Sequence, residues 1–590
     1  MLRTLSLLLG LAFLAACAAT PEQPVAAQTS TAVAEPAPEP EPAPEPEERP
    51  FPDDAVYQLL VAEFALRRGA YETALHNYME QARTLHDAGV ARHTTQIAQL
   101  LGDDDDALEA IQLWLQDEPE SLDANRMAAS YLVQRGDALA ALPYLAQIAR
   151  QGEQASFPAL LQAYTEMPAE RQAQFAAELE TLAEEFPRDT GLLLTRALVS
   201  ADAGHYSESR EVLEQLFVLE PEQQQALLLE ARINLQEQKS RPFTHIEKVL
   251  SRDPGNDRLR LEYARLLTNT DLVAARKQFE ILSAASPDDA NLLLSLALLN
   301  RETGDDLIAR AYLKQVIATG ERQGEAHFYL GLIAEDNDDL DTALAEYQQV
   351  GDGRQYLAAA QRSGELLLER GQLDAAQNWY AAQRAALPQR AEQLYGVEAE
   401  VLKNAGAAEA AFAVLDAGIE AHPESSALRY ARSLLSQQND DVERMEEDLR
   451  AILARDPDNA TALNALGYTL ADRTDRLDEA YELITRALAI NPDEPAILDS
   501  MGWLLYRRGD IAGATDYLMR AYAEFPDPEV AAHLGEVLWV SGERTRAREI
   551  WQGGLLGNPT HRVLLRTLQR FGVDPASLAP APPGIAPPGP

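Results

Sequence analysis

Prolines recur through this chain at a step of 33 to 35 residues: Pro187, Pro221, Pro254 and Pro287, then Pro388, Pro423, Pro457, Pro492, Pro526 and Pro559. Pro119 stands 68 residues before Pro187, two such steps, and 101 residues separate Pro287 from Pro388, three steps. A period near 34 held over more than 400 residues means one small supersecondary unit stacked many times, because such a unit cannot bury its apolar face alone. The 590 residues are therefore expected as a quasi-linear array rather than about four separate globular domains.

The unit is legible around each proline. From about 460 to 560 the copies are clearest: Leu466-Gly467, Ala480, Ala487 and Pro492; then Gly502, Gly509, Ala514, Ala521 and Pro526; then Leu534-Gly535, Gly542, Ala547, Trp551 and Pro559. Small residues let two helices approach closely. A glycine between them takes the left-handed conformation that ends the first helix. Proline ends the second helix or opens the next. Asp456-Pro-Asp-Asn459 and Asn491-Pro-Asp-Glu494 are expected to cap the helices that follow. Weaker copies place turn glycines at Gly69, Gly102, Gly136, Gly204, Gly304, Gly371 and Gly406, and Leu330-Gly331 precedes Ala343 and Tyr347. Residues 153–187 lack the pattern, and 222–254 carry Pro242 where a small residue belongs, so irregular hairpins are expected there. Hydrophobic content of 46% is dominated by good helix formers. This pattern resembles the tetratricopeptide repeat (TPR). The resemblance implies an all-α fold, a right-handed superhelical solenoid of stacked TPR-like helix hairpins in roughly fifteen registers, spanning 51–571 with a capping helix near 560–571.

The N-terminus reads as an address and an anchor. Arg3 precedes the apolar run Leu5–Ala16, too short to span a bilayer as a permanent helix. Leu14-Ala-Ala-Cys17 resembles the bacterial lipobox, which implies removal of 1–16, lipidation of Cys17, and, with Ala18 rather than Asp next, a lipid-anchored place at the outer membrane facing the periplasm. Cys17 is the only cysteine. The segment 17–50 holds the acidic proline run Glu35–Pro46, which is expected to be an extended tether reaching roughly 100 Å. Residues 572–590 are expected as a Pro-rich disordered tail.

The formal charge of −44, from 94 acidic and 50 basic residues, speaks against general nucleic-acid binding, which needs a basic face. No phosphate-binding loop, HExxH, GxSxG or paired CxxC occurs, so no cofactor, metal or enzymatic activity is expected. His86 and His93 are seven residues apart and would share a face if one helix held both. Partner binding is the better expectation. By the TPR resemblance, first-helix positions facing the groove fall on Phe328, Leu332, Arg429, Tyr430, Asn464, Tyr468, Trp503, Tyr506 and Trp539. Aromatics there suit an extended peptide or a partner helix, although Trp and Tyr at such places also serve the core between repeats. From 541 to 571, Arg544, Arg546, Arg548, Arg562, Arg566 and Arg570 oppose only Glu543 and Glu549, a basic C-terminal patch suited to an acidic partner.

Lipobox, acidic proline-rich tether and long helical array together resemble the family of outer-membrane TPR lipoproteins that partner the periplasmic carboxyl-terminal processing protease. That resemblance implies a non-catalytic scaffold or adaptor that binds and activates the protease and presents protein substrates such as peptidoglycan hydrolases. The alternative is a structural lipoprotein of an outer-membrane or exopolysaccharide assembly machine.

Overall fold

The computed structural model describes residues 52 and 54–578; Cys17, the proline run and the tail from 579 onward lie outside the described residues. The described residues hold thirty-one α-helices and three short 3-10 turns, with no strand. They divide into two compact units, one ending at Leu219 and one beginning at Glu220. The first contains five successive helix pairs, from Ala55–Arg67 with Tyr71–Leu85 to Thr190–Asp202 with Tyr206–Leu219. The second contains ten, from Gln224–Gln236 with Thr244–Arg252 to Pro528–Val540 with Arg544–Gly557, followed by the single helix Arg562–Arg570. Five and ten pairs make fifteen, the number the proline period anticipates.

Each expected turn glycine has a positive φ, between 69° at Gly371 and 95° at Gly542, a conformation that costs an L-residue with a Cβ about 1 kcal/mol or more. Where the sequence offers no glycine, Gln238, Asp338 and Asp440 adopt the same left-handed conformation, each two residues beyond its helix. The pairs then close by a size match. A first-helix glycine faces a large second-helix residue sixteen positions later: Gly331 meets Tyr347, Gly364 meets Tyr380, Gly502 meets Leu518 and Gly535 meets Trp551. A Cβ on Gly535 would lie 2.1 Å from the Trp551 indole nitrogen, and Trp551 is fully buried.

The two irregular stretches have different outcomes. Between 153 and 187 the first member of the pair breaks into the 3-10 turn Phe157–Leu160 and the single turn Leu161–Tyr164, and its partner Ala169–Glu185 is the longest helix described, at 17 residues. Phe157 and Phe175 still fill that core. Between this helix and Thr190–Asp202 lies a cleft of about 360 Å³, lined by the buried Tyr164, Leu179 and Val199 together with Glu180, Arg196 and His205. Around Pro242, by contrast, the proline only shortens its helix, to Thr244–Arg252.

Three expectations are corrected. His86 and His93 do not share a helix face: His86 is the left-handed C-cap of Tyr71–Leu85, whereas His93 lies inside Ala88–Leu101. Asn459 does cap its helix, accepting from the Ala462 backbone N–H at 3.0 Å, but Glu494 makes no side-chain cap bond, and Pro495 opens that helix instead. Finally, folded structure extends beyond 571, because Pro575–Leu578 forms a 3-10 turn. Val573 and Leu578 are buried with Leu564 and Leu568 of the Arg562–Arg570 helix against the last hairpin. Apolar residues past the last helix have a core to join there, so the chain stays packed for seven more residues.

Candidate functional site

The first helices of the last three hairpins, Ala460–Arg473, Pro495–Arg507 and Pro528–Val540, lie side by side. Residues one repeat apart therefore become neighbours, and a seam of rings and acids runs across the three. At its centre is His533, which is buried, as is Asp499, 34 residues earlier. The His533 Nδ1 stands 3.0 Å from both Asp499 carboxylate oxygens. The Trp503 indole stacks on the imidazole, with centroids 4.3 Å apart and planes at 23°, and the Tyr468 ring lies 6.0 Å from it.

Each ring that carries a polar hydrogen donates to an acid on another repeat, Tyr468 reaching two repeats along and Trp503 and Tyr506 one. Tyr468 Oη donates to Glu529 at 3.1 Å, Trp503 Nε1 to Asp472 at 3.1 Å, and Tyr506 Oη to Glu536 at 3.1 Å. Glu536 is also ion-paired with Arg570 of the capping helix. Arg507 Nη1 donates to the Ala471 and Asp472 carbonyls at 2.6 and 2.9 Å, which satisfies C-terminal carbonyls of the preceding first helix.

Burial alone would push the His533 imidazole down, but the carboxylate of Asp499, with Glu529 and Asp472 farther off, outweighs it and lifts the group to about 9. The imidazole is therefore charged at neutral pH. Burial likewise raises Glu536 against the pull of Arg570, and burial with the nearby Glu536 raises the Tyr506 hydroxyl to about 12. The seam is thus a pre-organised wall in which every ring is held by a carboxylate. A protonated His533 locked to Asp499 has no free lone pair at Nδ1 with which to act as a base. Among the described residues no group of three His, Cys, Asp or Glu side chains is placed to hold a metal ion.

The structure brings Tyr468, Trp503 and Tyr506 together and places the other expected groove residues elsewhere. Asn464 lies one turn before Tyr468, its Nδ2 3.5 Å from the Ala496 carbonyl and its Oδ1 buried without a partner. Trp503 is buried between repeats rather than open to a partner. Phe328 and Leu332 pack on the core around Tyr347. Arg429 sits 3.7 Å from the buried Asp448, and Tyr430 packs against the Met445–Leu504 core. Trp539 lies 5.3 Å from Trp551, with Arg544 above it at 5.1 Å. First-helix positions point toward the neighbouring repeat as well as toward the groove, and bulky rings fill that inter-repeat space first.

The basic patch is partly spent within the fold. Arg546 pairs with Glu543 at 2.7 Å, Arg570 with Glu536, and Arg548 donates to the Ser577 hydroxyl at 2.9 Å. Arg562 and Arg566 stay exposed on the capping helix. Asp472, Asp499, Glu529, His533 and Glu536 were not anticipated. The signal was the period itself, since Asp499 and His533 stand one step of 34 apart.

A family model described as tetratricopeptide repeat matches residues 307–356 and 430–495. A TPR repeat-containing protein of Pseudomonas aeruginosa is 38% identical over 487 residues, 82% of each chain. Among solved structures, a thermophilic TPR protein of Thermus thermophilus is 20% identical over 31% of this chain and all of its own, with a TM-score of 0.28. Yeast Tom70 is 14% identical over 88% of this chain and 94% of its own, with a TM-score of 0.30. With an identity of 38% sustained across most of both sequences, this chain belongs to the tetratricopeptide repeat proteins, whose helix pairs serve as scaffolds for protein–protein interaction.

Proposed function

We propose that this protein is a non-catalytic adaptor lipoprotein of the outer membrane, facing the periplasm, that binds a carboxyl-terminal processing protease and presents protein substrates such as peptidoglycan hydrolases to it. The observation that carries the scaffold part of this reading is the run of fifteen helix pairs occupying the described residues almost without interruption. The lipobox-like Leu14–Cys17 and the proline run that follows support the anchored, periplasm-facing part. A scaffold that holds enzyme and substrate on one tether works by raising their effective concentration. The seam supplies a pre-organised wall for one of them: half-buried Asp472 and Glu529 are held by ring donors, so little ordering remains to be done on binding. Such a wall suits a partner segment that brings a basic side chain to the acids.

The test is capture from a detergent extract on the tagged protein, followed by identification of what is retained. A periplasmic protease or a cell-wall hydrolase is the expected yield. Recovery of neither, or of an outer-membrane channel protein alone, sinks the adaptor reading, and the channel would favour an assembly-machine component. Replacing Asp472 and Glu529 by lysine is expected to lower capture about tenfold while the helical circular dichroism is retained.

A further inference from the structure

The two ends of the described array are finished differently. At the C-terminal end, the helix Arg562–Arg570 and the turn Pro575–Leu578 cover the last hairpin, as a terminal cap should. At the N-terminal end, the first helix, Ala55–Arg67, turns one side onto Tyr71–Leu85, and among the described residues nothing packs on its other side. That open side is apolar: Tyr57 is 68% exposed, Leu60 51% and Phe64 59%. The three stand at i, i+3 and i+7, a single stripe along the helix. Asp54 continues the stripe at its start and Arg67 at its end; both are exposed.

This order is self-complementary. When two copies of the helix are laid antiparallel with Leu60 beside the two-fold axis, Asp54 of one meets Arg67 of the other, and Tyr57 meets Phe64. Each of these contacts occurs twice, as an isologous interface requires. The chain's own leading segment fits the stripe less well. Residues 18–50 contain no Leu, Ile, Met or aromatic residue, and Leu5–Ala16 has no acidic residue to meet Arg67. We propose that the occupant of this face is a second copy of the same chain, the two first helices packing antiparallel as the contact of a homodimer. One helix per copy makes a small interface, so the dimer forms at micromolar concentration in solution and more readily where anchors concentrate the chains in a membrane plane.

The experiment is native mass spectrometry of the purified full chain, released from detergent, across nanomolar to micromolar concentrations. The wild type is expected to pass from monomer to dimer. Asp54→Arg and Arg67→Asp alone each put like charges face to face at two places and are expected to raise the dissociation constant about tenfold. The double variant D54R/R67D, and an equimolar mixture of the two single variants, restore opposite pairs and are expected to dimerise as the wild type does. Phe64→Asp abolishes the dimer, with circular dichroism as the check that the fold persists. A wild type that stays monomeric throughout overturns the proposal. So does a dimer that survives Phe64→Asp, or one that the charge reversals leave unchanged.

Discussion

Two residues show how much a single side chain decides here. Gly535 exists to admit the Trp551 indole, and even a methyl group there would stand 2.1 Å from the indole nitrogen. Gly535→Ala is therefore expected to lower stability by about 1–3 kcal/mol despite the better helix propensity of alanine. Its thermal unfolding midpoint should fall accordingly, whereas an Ala exchange at the solvent-facing Gly255, with only ordinary contacts near its Cβ position, should change it little. His533 acts through charge. Its folded pKa, about 9, lies above the ordinary histidine value of 6.5, so its contribution is fully present below pH 6.5, declines above it and is lost as the pH passes 9. The unfolding midpoint is expected to drop across that window in the wild type. His533→Leu leaves Asp499 buried and unpaired, which costs about 3–5 kcal/mol and removes that pH dependence. A variant whose midpoint follows the same pH curve as the wild type would refute the role given to His533.

At the scale of the helix and the hairpin, the sequence was most readable where the backbone itself imposes a residue. The turn glycines stand where they do because a left-handed φ excludes most side chains, and every one named from spacing has that φ. The proline rungs were equally plain, since proline cannot sit deep in a helix without cost. What stayed hidden were the contacts between hairpins. A ring on a first helix, such as Trp503 or Trp539, can face the groove or the next repeat, and nothing in its own hairpin says which. The choice depends on the neighbour 31 to 34 residues away: Asp472 receives the Trp503 N–H, and Asp499 holds His533. Three non-glycine turn residues, Gln238, Asp338 and Asp440, escaped notice for the converse reason, because the packed hairpin around them sustains a conformation that their own preferences oppose. Replacing Asp338 by glycine is expected to stabilise its hairpin by about 1 kcal/mol, measurable as slower amide exchange in Gln323–Asp336 and Leu340–Tyr347.

For the whole molecule, two compact units that meet in sequence at Leu219 and Glu220 each carry their own cores. Calorimetry is expected to resolve more than one unfolding transition, because cooperativity in a repeat array is carried by nearest neighbours. The proposed anchor makes a separate prediction at this scale. Cys17→Ser removes the only thiol in the chain and should move the protein from the membrane pellet to the soluble fraction, since several acyl chains are needed for stable attachment. Protein that stays in the pellet after that change would refute lipidation at Cys17.

The glycine–ring locks join residues only sixteen positions apart, and that nearness bears on how the molecule is made. A nascent chain needs only one finished hairpin, about 34 residues of it, before its closing contact can form. Folding can start wherever a hairpin closes and spread to its neighbours, the outer apolar face of each newly closed hairpin staying open only until the next one stacks on it.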